Sequence, residues 1–307
     1  KFQEFTKNQD AEKVGRIAFQ LYDTYGMPLE LTKVWLDKHN IKISENTFNQ
    51  ELEKQKSRSK LQSAMKGEVF SLEDLHLGVS GTKFLGYHDY KASAKILKIV
   101  KDNLSVTKIS RGEEGKIILD KTVFYAEAGG QVGDTGEIIK GKNIFQVLNT
   151  QKADKVTVHL GKVKEGTLKV GDKVLSCVDA QRRLSIARNH TATHLLQAAL
   201  RKVLGVHVQQ QGSLVAQDKL RFDFTHFKDI TKDELDRIEE MVNGYIINNF
   251  PVKTAKMALS LAKKQGALAF FGEKYDQRVR MVSVGDFSRE LCGGTHVSNT
   301  GEIYLFK

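Results

Sequence analysis

The chain reads as an α+β protein in three successive parts: a helical linker region over residues 1–82, a small glycine-rich β-barrel over 83–179, and an α+β domain over 180–307. Three observations support this. Apolar residues recur at helical spacing in the first part. The period shortens from about Phe84 to β-branched runs punctuated by glycine, and both periods mix in the last third.

In the first part, Val14, Ile17, Ala18, Leu21 and Tyr25 lie on one helical face, and Gly26 and Pro28 stop the pattern. Leu31, Val34 and Trp35 begin a second helix. From Ser44 to Lys66 the chain is highly charged, with Phe48, Leu52, Leu61 and Met65 as sparse apolar anchors, the pattern of a solvated helix.

In the second part, Lys116-Ile117-Ile118-Leu119, Lys155-Val156-Thr157-Val158 and Asp172-Lys173-Val174-Leu175 are short strands between regular turn signals, which predict a small barrel. The glycines of Ala128-Gly129-Gly130-Gln131-Val132-Gly133-Asp134-Thr135-Gly136 resemble a phosphate loop only superficially. The Lys-Ser/Thr ending is missing and no helix pattern follows, so they read as tight turns.

In the third part, a helix runs from about Arg182 to Leu204, with Leu184, Ala187, Leu195, Ala199 and Val203 at apolar positions and Gly205 as its stop. A second opens at Thr231 with Glu234 three residues on, a capping-box pattern, and buries Leu235, Ile238, Val242, Tyr245 and Ile246 before Phe250-Pro251 ends it. Leu220 to Phe224, Val252 to Met257, Arg278 to Val284 and Glu302 to Phe306 read as strands.

Composition bounds the function. A chain of 307 residues, 40% hydrophobic with two prolines, can bury a substantial core. No apolar run approaches the roughly 20 residues that span a bilayer, and a start at Lys1 without an initiator Met or signal pattern suggests a piece of a longer, cytoplasmic protein. Cys177 and Cys292 are far apart in sequence and form no disulfide framework, leaving metal or catalytic roles open. A formal charge of +11 favours a polyanionic partner, although a lysine-rich proteome gives the same excess.

Four candidate metal ligands stand in two short motifs, His190-Thr191-Ala192-Thr193-His194 and Cys292-Gly293-Gly294-Thr295-His296. Residues four apart on a helix share a face, so both imidazoles can point at one ion, and zinc accepts nitrogen and sulfur together. The glycines between Cys292 and His296 let the backbone curl so that thiolate and imidazole converge. A purely structural zinc is the simpler alternative to a catalytic one, which needs an open position. Zincin proteases place a general-base Glu directly after the first His; here that position is Thr191, and the base is lost. His39, His76, His88, His159, His207 and His226 have no partner spacing and read as structural or surface residues.

These motifs occur in one order with Leu195-Leu196-Gln197-Ala198-Ala199-Leu200-Arg201, Gln210-Gln211-Gly212-Ser213, Leu220-Arg221-Phe222-Asp223-Phe224, Phe271-Gly272-Glu273-Lys274-Tyr275 and Leu291-Cys292-Gly293-Gly294-Thr295-His296. The set resembles the editing domain of alanyl-tRNA synthetases. The likeness extends back through Gly129 and Gly130 to Leu21-Tyr22-Asp23-Thr24-Tyr25-Gly26, and so covers essentially the whole chain.

The resemblance implies that His190, His194, Cys292 and His296 hold one Zn²⁺, that Thr193 and Gln210 line the pocket for a misplaced aminoacyl group, and that Gly129 and Gly130 approach the acceptor end of tRNA. It also implies hydrolysis of tRNA(Ala) wrongly carrying serine or glycine. The aminoacylation domain, with its ATP and Mg²⁺, and the oligomerisation domain are expected to lie outside this stretch. Arg182, Arg183, Arg188, Arg201 and Lys202 flank the ligand helix as candidate phosphate contacts. Editing is needed because a pocket for alanine gains only about 1–3 kcal/mol against one added or missing small group. Thr193 can equally back-bond within its helix and Gln210 can simply satisfy a turn. A free-standing hydrolase and a non-catalytic, zinc-stabilised tRNA-binding module are the competing readings.

Overall fold

The structure, a computed structural model, describes residues 10–25, 27, 29–64, 79–269 and 275–307. The expected stop signals Gly26 and Pro28, the anchor Met65, His76 and the block Phe271 to Lys274 lie outside the described residues. The chain divides into two compact units, Lys1–Asp74 and Leu75–Lys307.

The first unit contains α1 (Ala11–Tyr25), α2 (Leu29–Lys38) and α3 (Glu45–Ala64). Val14, Ala18 and Leu21 are buried, as the helical spacing predicts, together with Phe19, Leu29, Leu36 and Phe48. The second helix forms as expected, with Thr32 and Leu36 buried, Trp35 packed on the core and Val34 exposed. Phe48 holds the polar α3 to this core and meets Phe19 edge-on at 5.9 Å between centroids.

The second unit opens with the barrel strands β1 (Lys91–Lys101), β2 (Glu114–Leu119), β3 (Gly136–Lys140), β4 (Asn143–Ala153), β5 (Val156–Glu165) and β6 (Lys173–Val178). They close in the antiparallel order β1-β2-β5-β4-β3-β6-β1, so six strands form a barrel with no free edge among them. Along β1, Ala94 and Ile96 point inward while Lys91, Ser93 and Lys95 point out; a register shift between Ile96 and Lys98 then resets the alternation and brings Ile99 inside. Ile117, Leu119, Ile138, Phe145, Val147 and Val163 fill the rest of this core.

The remainder is α+β. Helix α4 (Ala180–Leu204) starts at the N-cap Asp179, whose side chain accepts from Arg182 N, and ends at Gly205. A hairpin follows, β7 (Gln210–Val215) with β8 (Leu220–Phe224). Next comes α5 (Lys232–Ile247), which has both bonds of the Thr231–Glu234 capping box. Its buried stripe begins at Ile238 and includes Val242 and Ile246; Leu235, expected inside, is exposed. The strands β9 (Val252–Ala258), β10 (Arg278–Val284) and β11 (Ser288–Leu291) form one antiparallel sheet, with the short α6 (Leu259–Lys264) between the first two.

The strand expected over Glu302 to Phe306 is not formed. Thr300–Ile303 is a 3₁₀ turn, because Glu302 folds back to accept from the backbone of Ser298 and Asn299, and local side-chain bonding of this kind competes with sheet pairing. Phe306 is instead tied to Asn243 of α5 through both amide groups. Among the described residues, no helix is long and apolar enough to cross a membrane.

Candidate metal centre

His190 and His194 sit one turn apart on the buried face of α4, and Cys292 and His296 lie on the loop that leaves β11. One ligand atom from each of the four falls within 4.8 Å of the others. Cys292 Sγ lies 3.3 Å from both His190 Nε2 and His296 Nε2. Three nitrogens and one sulfur at this separation are a donor set that suits a metal ion.

The residues around the cluster fix which ring nitrogens are bare. Thr191 donates its only hydroxyl proton to Ala187 O at 3.0 Å, so its oxygen must accept from Val297 N and, at 3.1 Å, from His296 Nδ1. The proton of His296 is thereby held on Nδ1 and Nε2 is left free. The residue that occupies the protease-base position thus orients His296. His190 Nδ1 is 2.7 Å from Gln131 Oε1, and His194 Nδ1 is 3.6 Å from a carboxylate oxygen of the buried Glu290. The Gln131 contact is of the kind that orients a ligating imidazole, whereas His194 Nδ1 makes no hydrogen bond at the Glu290 distance.

Burial dominates the electrostatics. It pushes His190 down to about 3, with the positive charge of Arg280 adding to the effect, and holds His194 and His296 well below the usual imidazole range. All three therefore stay neutral near pH 7, the form that binds metal. Burial also raises the Glu290 carboxyl to about 8.

The Cys-Gly-Gly loop is held from behind. Arg280 donates to Cys292 O at 2.9 Å and Gly294 O at 3.0 Å, and its guanidinium lies 4.2 Å over the ring of Tyr87, whose hydroxyl donates to Gly293 O. Gly294 is required for space: a Cβ there would lie 2.1 Å from His190 Cε1.

The other expected site residues are placed as follows. Thr193 is buried and donates to Asn189 O at 2.8 Å, the helical back-bond. Gln210, at the start of β7, donates from Nε2 to Ser213 Oγ at 2.9 Å. Gly129 is exposed, while Gly130 packs on Ser213. Arg182 donates to Gly133 O, Arg188 donates to Glu302 O and lies over the ring of Tyr304, and Arg201 donates to Val206 O and Val208 O. Lys202 is exposed.

Arg183 is corrected as a phosphate contact. It is buried, and its donors are taken up by Asp134, Gly86 O and Val123 O. His207 and His226 are structural: their rings stack, with Nε2 of the first 3.0 Å from Nδ1 of the second. Sequence spacing gave no sign of Gln131, Glu290, Arg280 or Tyr87 at the centre, because all four act through neighbours distant in the chain.

Residues 2–182 match the family model described as tRNA synthetases class II (A), and residues 279–307 match that of the threonyl and alanyl tRNA synthetase second additional domain. The chain belongs to the class II (A) tRNA synthetase family. Among its relatives are the alanine-tRNA ligases of Hydrogenovibrio crunogenus, 47% identical over 293 residues, and of Clostridioides difficile, 47% identical over 298 residues. Each alignment covers 95% of this chain and 34% of the relative, so the chain spans about a third of the length of the synthetases it matches. Cys292 and His296 fall inside the second matched segment, whereas His190 and His194 lie between the two segments.

Proposed function

We propose that this chain is the editing portion of an alanyl-tRNA synthetase, hydrolysing tRNA(Ala) that wrongly carries serine or glycine, with one zinc held by His190, His194, Cys292 and His296. The observation behind this is the convergence of those four donors, two of them held in the binding tautomer, in a chain whose relatives are alanine-tRNA ligases. The donor set fits zinc, which takes imidazole and thiolate together. When bound, the ion supplies a Lewis acid that orients or polarises the aminoacyl ester.

The chain's own residues account for selectivity. Thr193 gives its proton to Asn189 O, so the lone pairs of its oxygen remain to accept the hydroxyl proton of serine. Gln210 spends one amide proton on Ser213 and keeps Oε1 and its second N–H for substrate. Alanine would leave such groups unpaired in a buried site, and that penalty disfavours it.

In this reading Gly129, exposed with open space around it, lets the acceptor end approach the backbone, and Arg182, Arg188 and Lys202 contribute to phosphate attraction. ATP, Mg²⁺, the aminoacylation and oligomerisation domains and a cytoplasmic setting belong to the parent enzyme. A second reading, a zinc-stabilised tRNA-binding module, is favoured by the count of four protein donors, enough to close a tetrahedral site.

One experiment separates them. Chain stripped of metal by chelation and then reloaded with zinc is incubated with seryl-tRNA(Ala), and released serine is measured beside metal content. We expect about one zinc per chain and serine release only when it is bound. Cys292→Ala should lose both, and Cys177→Ala, altered on the barrel, neither. A folded chain that binds zinc and tRNA but leaves the ester intact would establish the binding module.

A further inference from the structure

We infer that Gln131, carried by the glycine turn of the barrel, is a positioning residue that holds His190 in its ligating tautomer. The inference deepens the proposed metal-centre reading and rests on it.

Gln131 is fully buried. Its Oε1 lies 2.9 Å from Thr295 N and its Nε2 lies 3.0 Å from Thr295 Oγ1. The amide orientation follows from the backbone: Thr295 N–H can only donate, so the atom facing it must be the oxygen. That same oxygen stands 2.7 Å from His190 Nδ1, which must therefore carry the ring proton. Nε2 is left bare, 3.3 Å from Cys292 Sγ.

Two glycines make this placement possible. Gly129 and Gly130 have φ of 57° and 79° in the tight turn Ala128 to Gln131, a conformation that disfavours side chains. A Cβ on Gly130 would lie 2.3 Å from Ser213 Oγ, and one on Gly294 would lie 2.7 Å from Gln131 Oε1. The turn is also bonded to β7, with Val215 N donating to Gly130 O and Val132 N to Val215 O. One barrel loop therefore contacts Ser213, the partner of Gln210, through Gly130, and grips His190 through the next residue. The centre is not contained in residues 180–307 alone.

The test compares zinc affinity of the full chain, by competition with a chromophoric chelator, for wild type, Gln131→Met and Gln131→Glu. Methionine keeps the length but removes the acceptor, and should weaken zinc by about 10–100-fold; glutamate keeps the acceptor and should stay within about threefold of wild type. If both variants bind like wild type while folded, or if glutamate loses as much as methionine, the inference is overturned. Wild-type chain that binds no zinc would instead overturn the metal reading beneath it. Nitrogen NMR of His190 in the zinc-free wild-type protein is independent of variant folding: the Nδ1–H tautomer is expected, and the Nε2–H tautomer contradicts the assignment.

Discussion

Arg183 and Asp134 pair out of contact with water where α4 meets the barrel, their side chains 3% and 1% exposed. Arg183 Nε reaches both carboxylate oxygens at 2.9 Å, while the terminal nitrogens donate to Gly86 O and Val123 O; Asp134 also accepts from Tyr125 N. A buried charge whose guanidinium is bonded on Nε and on both terminal nitrogens is costly to orphan. Arg183→Met should lower unfolding free energy by about 3–5 kcal/mol in urea titration, and the double variant with Asp134→Leu should recover much of that loss. An unchanged midpoint in the single variant would show that the pair does not join helix to barrel.

A second prediction concerns acid. His159 sits inside the barrel, Nδ1 donating to Ile117 O and Nε2 accepting from Thr122, and burial pushes it down to about 4. The unfolded chain takes up this proton near 6.5, the folded chain only near 4, so the unfolded state binds more protons in between. The stability from His159 is complete above pH 6.5 and falls by about 3 kcal/mol as pH drops to 4. His159→Gln should show a shallower decline than wild type across that window in denaturant titrations. Parallel declines would assign the acid sensitivity to other groups.

The helices, the barrel strands and the four-donor cluster were legible because each has a local signature. The i, i+4 pair on α4 and the Cys-Gly-Gly-Thr-His loop need only spacing to be seen. What was illegible depends on contacts between distant segments. Gln131 looked like one more turn residue, since nothing near it in sequence shows that the next contact of its amide is His190. Arg183 reads in sequence as any basic residue on a helix, because its partner Asp134 lies 49 positions away. Glu302 to Phe306 read as a strand because an apolar run outweighs, on paper, the capping of Asn299 by Glu302.

Selectivity gives a third prediction. Thr193→Val nearly preserves volume and removes the hydroxyl oxygen proposed to accept from serine, leaving Gln210 Oε1 in place. Serine release should slow by roughly ten- to a hundredfold, about 1–3 kcal/mol, with zinc content unchanged, and alanyl-tRNA should begin to be cleaved. Gln210→Ala should slow serine release similarly while also freeing the hydroxyl of Ser213. Wild-type rates and an unchanged serine-to-alanine ratio in both variants would place the pocket elsewhere.

The central claim is tested most directly by giving the zinc-loaded chain seryl-tRNA and alanyl-tRNA, both built on the alanine-specific tRNA, and measuring the rate at which each amino acid is released. The account predicts that serine is freed and that alanine stays attached over the same interval. Release of both at the same rate, or of neither by folded, metal-bound protein, would contradict it.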